Sequence, residues 1–249
     1  MNITIFDTET TSIDKPFCYN IGYIVYSTEA QTVLVKREFV CEQVWHNPML
    51  FSTAYYANKR DIYVKRMRGK KIQLEKFGFI CQQMIRDFKQ FNVACAYAYN
   101  GGFDERVFAF NCDWFKCNNP FDTLTIFDIR GNVHNKIAFT DKFKQFCEQN
   151  NCFTEKGNYS TTAETLFQFI TGNTEFEEEH TALADSEIEL QILLETVKMG
   201  CDFATAYKTY TSIPRLAEKT LTIELNGQVV NEINYVKRTN RGDKIFLKS

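Results

Sequence analysis

The sequence predicts an α/β fold in which helices flank a mixed central sheet, and three observations support this prediction. The first is a series of β-rich segments at residues 3–6, 19–27 and 32–40, separated by short turn signals. The second is the apolar stretch VACAYAY at 93–99, which follows a helical pattern and is typical of a buried strand. The third is the largely helical pattern from there to residue 199. This order of elements is typical of a mixed sheet.

The first three segments are close enough in sequence to be joined as hairpins. They therefore predict an antiparallel three-stranded meander. Residues 42–72 show neither helical nor strand periodicity, and we expect them to be irregular. They include the basic stretch KRDIYVKRMRGKK at 59–71, which is either a phosphate-binding segment or a solvated loop.

Apolar residues at helical spacing predict an amphipathic helix over 74–91; they are Leu74, Phe77, Ile80, Cys81, Met84, Ile85 and Phe88. The turn Asn100-Gly101-Gly102 precedes a further predicted helix. Residues 121–129 have weak strand character, because two aspartates interrupt the apolar pattern. Further helices are predicted at 140–149, 160–171 and 181–199.

The chain changes character after residue 199. Two β-rich runs within 220–236 surround Asn226-Gly227, a strong hairpin signal, and a basic segment follows at 237–248. We therefore expect one main domain at 1–199 and a C-terminal extension with a β-hairpin at 200–249. Three roles are open for this extension: it binds substrate, binds a partner, or forms a homodimer.

Composition limits the classes of function. The formal net charge is −2, so a nucleic-acid partner requires local basic patches or bound cations. The sequence has no signal-peptide pattern and no long apolar run, so we expect a cytoplasmic protein without a membrane span. The nine cysteines include no C-x2-C pair, and the spacings Cys112/Cys117 and Cys147/Cys152 are not usual for zinc. We expect reduced thiols without a metal.

Acidic residues follow two of the predicted strands. Asp7 and Glu9 lie two residues apart in an extended segment, so their side chains point to the same side. Asp104 follows the Gly-Gly turn after the predicted strand at 93–99. It approaches Asp7 and Glu9 if that strand neighbours the strand at 3–6. Close buried carboxylates repel each other unless a cation lies between them, and hard cations such as Mg²⁺ and Mn²⁺ prefer oxygen ligands. Each acid alone also fits an ordinary strand end or helix start.

The segment EEEHTALADS places His180 before a helix and Asp185 five residues later. Five residues turn through about 500° on a helix, so the two side chains share no stripe. Both reach one site only if His180 lies in the loop before the helix. Alone, His180 fits a surface loop, and Glu177 to Glu179 are expected to be solvated.

Together, the motifs FDTET, NGGFD and HTALAD resemble those of the DEDDh 3′–5′ exonucleases. This family belongs to the ribonuclease H-like superfamily and includes the proofreading epsilon subunit of bacterial DNA polymerase III and ribonuclease T. The resemblance covers about residues 1–198, and the H-x4-D spacing is that of the histidine branch. It implies a ribonuclease H-like fold and two divalent ions, Mg²⁺ or Mn²⁺. It also implies four metal ligands, Asp7, Glu9, Asp104 and Asp185, with His180 as general base.

The resemblance also implies contacts with the 3′ end of single-stranded DNA or RNA. Asn100 matches the polar position of the second motif, and Thr10 lies beside the first. Phe103 either packs in the core or stacks on a base. From the basic stretch, the candidate substrate contacts are Lys65, Arg66 and Arg68, with Tyr55, Tyr56 and Tyr63 nearby as possible base-stacking rings.

Three hypotheses remain at this point. The chain is a metal-dependent 3′–5′ exonuclease of DNA, an RNA-trimming exonuclease of the same family, or a nucleic-acid-binding module that has lost catalysis. All five motif positions are intact, which favours an enzyme. The acidic neighbours of His180 favour its protonated form and bound metals oppose it, so its charge stays undecided. A polymerase or replication partner also stays open.

Overall fold

A computed structural model describes residues 1–54, 56–225, 228–238 and 246–247, with side chains described up to residue 215. Its main sheet has six strands in the order β4-β3-β2-β1-β5-β6. Their bounds are β1 Asn2–Thr10, β2 Cys18–Ser27, β3 Thr32–Cys41, β4 Gln73–Glu75, β5 Val93–Ala98 and β6 Ile126–Asp128. Strands β1 to β3 pair antiparallel, and β5 pairs parallel with β1. The predicted α/β class, meander and mixed sheet are confirmed.

Helices cover both faces of this sheet. They are α1 Glu42–Trp45, α2 Pro48–Phe51, α3 Arg60–Arg68, α4 Phe77–Gln90, α5 Gly102–Phe115, α6 Ile129–Lys136, α7 Asp141–Asn150, α8 Ala163–Thr171 and α9 Ala182–Lys198. Side chains alternate along β1, so Phe6 belongs to the core on one face and Ile3 and Ile5 to the core on the other. Asp7 and Glu9 continue the Ile3–Ile5 side, which is the side that α9 covers.

The prediction that residues 42–72 are irregular is wrong, because the segment folds into α1 to α3. Asn47 caps α2 by accepting a hydrogen bond from the Leu50 N–H, and Pro48 fits the first turn. In α3, Tyr63 is fully buried and contacts the ring of Trp45. Tertiary packing of these aromatic rings stabilises helices that are too short to show periodicity.

Two further boundaries differ from prediction. The helix expected from residue 74 begins at Phe77, because Gln73–Glu75 pairs with β3 as a strand. The strand expected over 121–129 is limited to Ile126–Asp128. The side chain of Asn119 accepts a hydrogen bond from the Phe121 N–H, which forms a turn before the strand.

The C-terminal hairpin is present as the antiparallel pair β7 Leu216–Leu225 and β8 Gln228–Arg238, and β9 Phe246–Leu247 joins it. The predicted turn residues Asn226 and Gly227 lie outside the described residues, as does most of the basic tail. The domain boundary at 199/200 stays a prediction. The segment after α9 contributes Ile213 to the core. Among the described helices, none has both the length and the apolar character that a membrane span requires.

Candidate active site

The end of β1 and the start of α9 meet at a glycine. Asp7 pairs with Gly22 of β2 in the ladder. A Cβ at Gly22 would overlap the backbone of Ala182 and Leu183, so only glycine lets the start of α9 lie directly on the strand. This close approach brings Asp185, in the first turn of α9, towards Asp7 and Glu9.

Asp104 enters from the other side of β1. It lies in the first turn of α5, which follows β5, and it is 2% exposed. Thr8 of β1 donates a hydrogen bond of 2.6 Å from its Oγ1 to Asp104 Oδ1. The parallel pairing of β1 and β5 therefore brings Asp104 to the strand end that carries Asp7 and Glu9, and the packing of α9 adds Asp185.

The carboxylates at this edge destabilise one another's charges. Burial, followed by the charges of Asp104, Glu189, Asp185 and Glu9, raises the pKa of Asp7 well above its usual value. Burial also raises the pKa of Asp104 to about 7 and that of Asp185 to about 8. Buried acids with such shifts hold protons unless a cation compensates their charge.

The donor set fits hard divalent cations. The ligand atoms of Glu9, His180 and Asp185 lie within 4.8 Å of one another. Asp185 Oδ1 is buried and has no hydrogen-bond partner among the described residues, so it is free to coordinate an ion. Clustered carboxylate oxygens are the ligands that Mg²⁺ and Mn²⁺ prefer.

Glu189 is a fifth carboxylate, and it was missed by the sequence analysis. It lies one helical turn after Asp185 on α9, is 3% exposed, and its Oε2 has no hydrogen-bond partner among the described residues. Burial, followed by the charges of Asp104 and Asp185, raises its pKa well above the usual value. The i, i+4 spacing from Asp185 was the available signal, because it places both side chains on one helix face.

His180 lies in the loop before α9, as predicted, with a left-handed backbone at φ 54°. Its ring stacks on Tyr56, with centroids 4.2 Å apart and planes 14° apart, and its Nδ1 lies 3.7 Å from Glu178 Oε2. Burial lowers the pKa of His180, and the nearby charge of Lys59 lowers it further.

The basic stretch that follows Tyr56 braces this loop. Lys59 Nζ donates to the backbone oxygen of Glu179 at 2.8 Å, and Tyr63 Oη donates to that of His180 at 3.4 Å. Arg66 makes ion pairs with Glu179 at 2.9 Å and with the buried Glu38 at 2.8 Å. A left-handed non-glycine residue needs such support from its surroundings.

Two expectations about this region need correction. Glu177 and Glu179 are exposed, as expected, and Glu179 also pairs with Arg66, whereas Glu178 is half-buried beside His180 and is not solvated as expected. Tyr63 is fully buried, so its ring is not accessible to bases. Arg66 and Glu179 lie more than a hundred residues apart in sequence, which is why no local pattern indicates their ion pair.

The remaining predicted substrate residues lie around this edge. Thr10 ends β1 and donates from Oγ1 to the Ser12 oxygen, and Asn100 has a left-handed backbone whose N–H donates to Asp128. Phe103 is partly buried against the core, and Lys65 and Arg68 are exposed on α3. Arg66 is held by its ion pairs. Their contacts with substrate stay predictions.

A groove adjoins Asn100. It has a volume of about 610 Å³ and is lined by Tyr99, Asn100, Arg130 and Lys156 together with hydroxyl side chains of 160–162. Its lining carries two cations, Arg130 and Lys156, one acid, Glu155, and several hydrogen-bonding groups. The sequence analysis missed this groove, because its lining comes from segments separated by loops.

No protein-family model matches the chain, and no curated protein matches it. Among solved structures, the nuclease domain of 3'hExo, a DEDDh family member bound to rAMP, superposes with a TM-score of 0.52. The alignment covers 85% of this chain and 97% of that one, at 10% identity. The chain has the fold of this nuclease domain. The sequence resemblance is thereby confirmed at the level of the fold.

Two further solved structures match with lower scores. E. coli exonuclease I in complex with a dA16 oligonucleotide has a TM-score of 0.46 and 15% identity, over 80% of this chain and 42% of that one. A full-length 3'-exonuclease has a TM-score of 0.46 and 11% identity, over 80% of this chain and 61% of that one. The chain therefore spans less than half the length of exonuclease I.

Proposed function

We propose that this protein is a metal-dependent 3′–5′ exonuclease that hydrolyses single-stranded DNA from its 3′ end and releases nucleoside monophosphates. The observation that carries the proposal is the convergence of Asp7, Glu9, Asp104 and Asp185 at one sheet edge, with His180 beside them. The fold shared with the nuclease domain of 3'hExo supports it.

In this proposal the four acidic ligands hold two divalent cations, Mg²⁺ or Mn²⁺. When bound, such a pair lowers the pKa of an attacking water and neutralises charge on the leaving 3′ oxygen. Each carboxylate contributes acceptor oxygens at a fixed backbone position. Thr8 orients Asp104 by donating to its Oδ1.

His180 accepts the proton of the attacking water. Its Nδ1 lies 3.7 Å from Glu178 Oε2, and Nε2 is the proposed acceptor. General-base assistance of this kind contributes about 10²–10⁴-fold to the rate. The stacked ring of Tyr56 and the brace around Glu179 fix the imidazole in position.

The groove beside Asn100 is proposed to accept the terminal nucleotide, with Asn100 as a polar contact. Thr10 and Phe103 do not line this groove and are proposed as a further polar contact and a stacking ring at the sheet edge. Lys65 and Arg68 extend from α3 and would contact the phosphate backbone further along the strand. An RNA substrate is the second candidate, because the nuclease domain of 3'hExo was solved with rAMP bound. A replication partner, a homodimer and a cytoplasmic location stay predictions.

The experiment that tests this proposal compares the degradation of single-stranded DNA with that of RNA. Purified full-length protein is incubated with 5′-labelled single-stranded DNA or RNA of one sequence, in Mg²⁺ or Mn²⁺ and then in EDTA. We expect a ladder that shortens from the 3′ end of DNA only when metal is present. Faster shortening of RNA would select the second candidate. Retarded but uncut strands would contradict an enzyme and favour a binding module.

A further inference from the structure

Three cysteines converge at a place far from the carboxylates. Cys81 lies on α4, Cys112 near the end of α5, and Cys117 just beyond it. Their Sγ atoms all lie within 4.8 Å of one another, and those of Cys81 and Cys117 are 4.0 Å apart. The sequence spacing Cys112/Cys117 alone gave no zinc signal, because the third thiol comes from a different helix.

The end of α5 folds Cys117 back beside Cys112. Lys116 has a left-handed backbone at φ 52°, and the Cys117 N–H donates to the Cys112 oxygen at 3.0 Å. The end of α7 has the same geometry without a third thiol. There Asn151 has φ 55°, and the Cys152 N–H donates to the Cys147 oxygen at 2.9 Å. The packing of Cys81 against α5 therefore distinguishes the first pair from the second.

The sulfur spacing matches metal–thiolate geometry. A Zn–S bond of about 2.3 Å places the sulfurs of a tetrahedral or trigonal site about 3.8–4.0 Å apart. The Cys81–Cys117 separation already has this value, and the other pairs need only to shorten by less than about 1 Å. Cys117 is half-buried, whereas Cys81 is 1% and Cys112 6% exposed, so an ion reaches the group from the Cys117 side.

The ligand atoms of the group favour a soft cation. Soft thiolate sulfur prefers d¹⁰ ions such as Zn²⁺, whereas the carboxylate edge prefers Mg²⁺ or Mn²⁺. The two groups of side chains therefore select different ions.

We propose that Cys81, Cys112 and Cys117 form a structural site for one thiophilic d¹⁰ cation, with Zn²⁺ as the first candidate. The three thiols lose their protons to solvent as the ion binds. Among the described residues no fourth Cys, His, Asp or Glu joins the group, so a water molecule completes the tetrahedron. The ion links α4 to the end of α5, about 12 Å along the helix axis from Asp104.

The test uses Cd²⁺ as a spectroscopic probe on the reduced, chelator-stripped full chain. Cadmium–thiolate bonds absorb in the ultraviolet, and carboxylate-bound Cd²⁺ does not. We expect the band to saturate at one equivalent, and Zn²⁺ to remove it by competition. Cys117→Ser changes a half-buried position and should lose most of the band. Cys152→Ser is the matched control and should keep it.

Thiol alkylation of the wild-type chain gives a readout that needs no variant. With Zn²⁺ present, peptide mass mapping should show protection of Cys81, Cys112 and Cys117 and unchanged labelling of Cys147 and Cys152. Absence of the cadmium band would overturn the proposal. A band of equal intensity in Cys117→Ser, or Zn²⁺ protection that does not distinguish the two groups, would overturn it as well.

Discussion

Replacing Asp104 with asparagine should stabilise the chelator-treated protein while abolishing its activity. The carboxylate is 2% exposed and lies among four other acids, so its ionised form is destabilised without a cation. Asparagine has nearly the same shape, and its amide oxygen still accepts the hydrogen bond from Thr8. The substitution therefore removes the charge and retains the packing.

The magnitude follows from the pKa of Asp104, which rises from 3.8 to about 7 on folding. An acid whose pKa is raised by folding contributes stability that is fully present below 3.8 and lost as the pH rises through about 7. At about 1.4 kcal/mol per pH unit, the loss at pH 8 is at most about 4 kcal/mol. It shrinks to about 2 kcal/mol at pH 5. Neighbouring acids share protons, so we expect a gain of about 2–4 kcal/mol for Asp104→Asn at pH 8.

Urea unfolding in EDTA at pH 8 and pH 5 measures this gain. Asp113→Asn is the control, because Asp113 lies on the same helix, is exposed, and should change stability by less than about 0.5 kcal/mol. Mg²⁺ should then stabilise the wild type more than Asp104→Asn, because binding to the folded state raises stability. An Asp104→Asn protein that is less stable than wild type in EDTA at pH 8 would refute the reasoning.

Three further substitutions test other parts of the structure. Burial lowers the pKa of His134 to about 4, so the free energy of unfolding should fall by up to about 3 kcal/mol as the pH drops from 6.5 through 4. Urea unfolding across this pH range should show a smaller fall for His134→Asn, and an unchanged fall would contradict the role of His134. Arg66→Met should lower the free energy of unfolding by about 3 kcal/mol and reduce nuclease activity, because Glu38 stays buried without its partner. If the double variant Arg66→Met, Glu38→Gln regains no stability, loss of the ion pair is not the cause of the destabilisation. Gly22→Ala should lower nuclease activity at least about 100-fold, because the added Cβ displaces α9. An activity assay paired with circular dichroism measures this loss, and near-normal activity would show that the close contact between Gly22 and α9 is dispensable.

Sequence patterns predict the parts of this site that local chemistry determines. Acids after an apolar strand, an acid after a Gly-Gly turn and a histidine before a helix are all visible within short segments. The parallel pairing of β1 and β5 then brings Asp7 and Asp104 to the same edge. The sequence predicted this meeting on the condition that the two strands are neighbours, and the pairing of β1 with β5 meets that condition.

Long-range packing determines the parts that the sequence did not predict. The contacts of Arg66 with Glu179 and of Cys81 with Cys117 depend on how helices pack, and neither leaves a periodic pattern. The short helices of 42–68 depend on buried aromatic rings rather than on helix propensity. Glu189 had a usable signal, since it stands one turn from Asp185 on a predicted helix.

The most direct test of the central claim follows a 5′-labelled single-stranded DNA oligonucleotide on a denaturing gel over time. The proposed two-metal site predicts a ladder that shortens from the 3′ end with Mg²⁺ and the wild-type protein. It predicts intact strand in EDTA and with Asp7→Asn. Shortening in EDTA, or an equally fast ladder from Asp7→Asn, would contradict the assignment of this sheet edge as the catalytic centre.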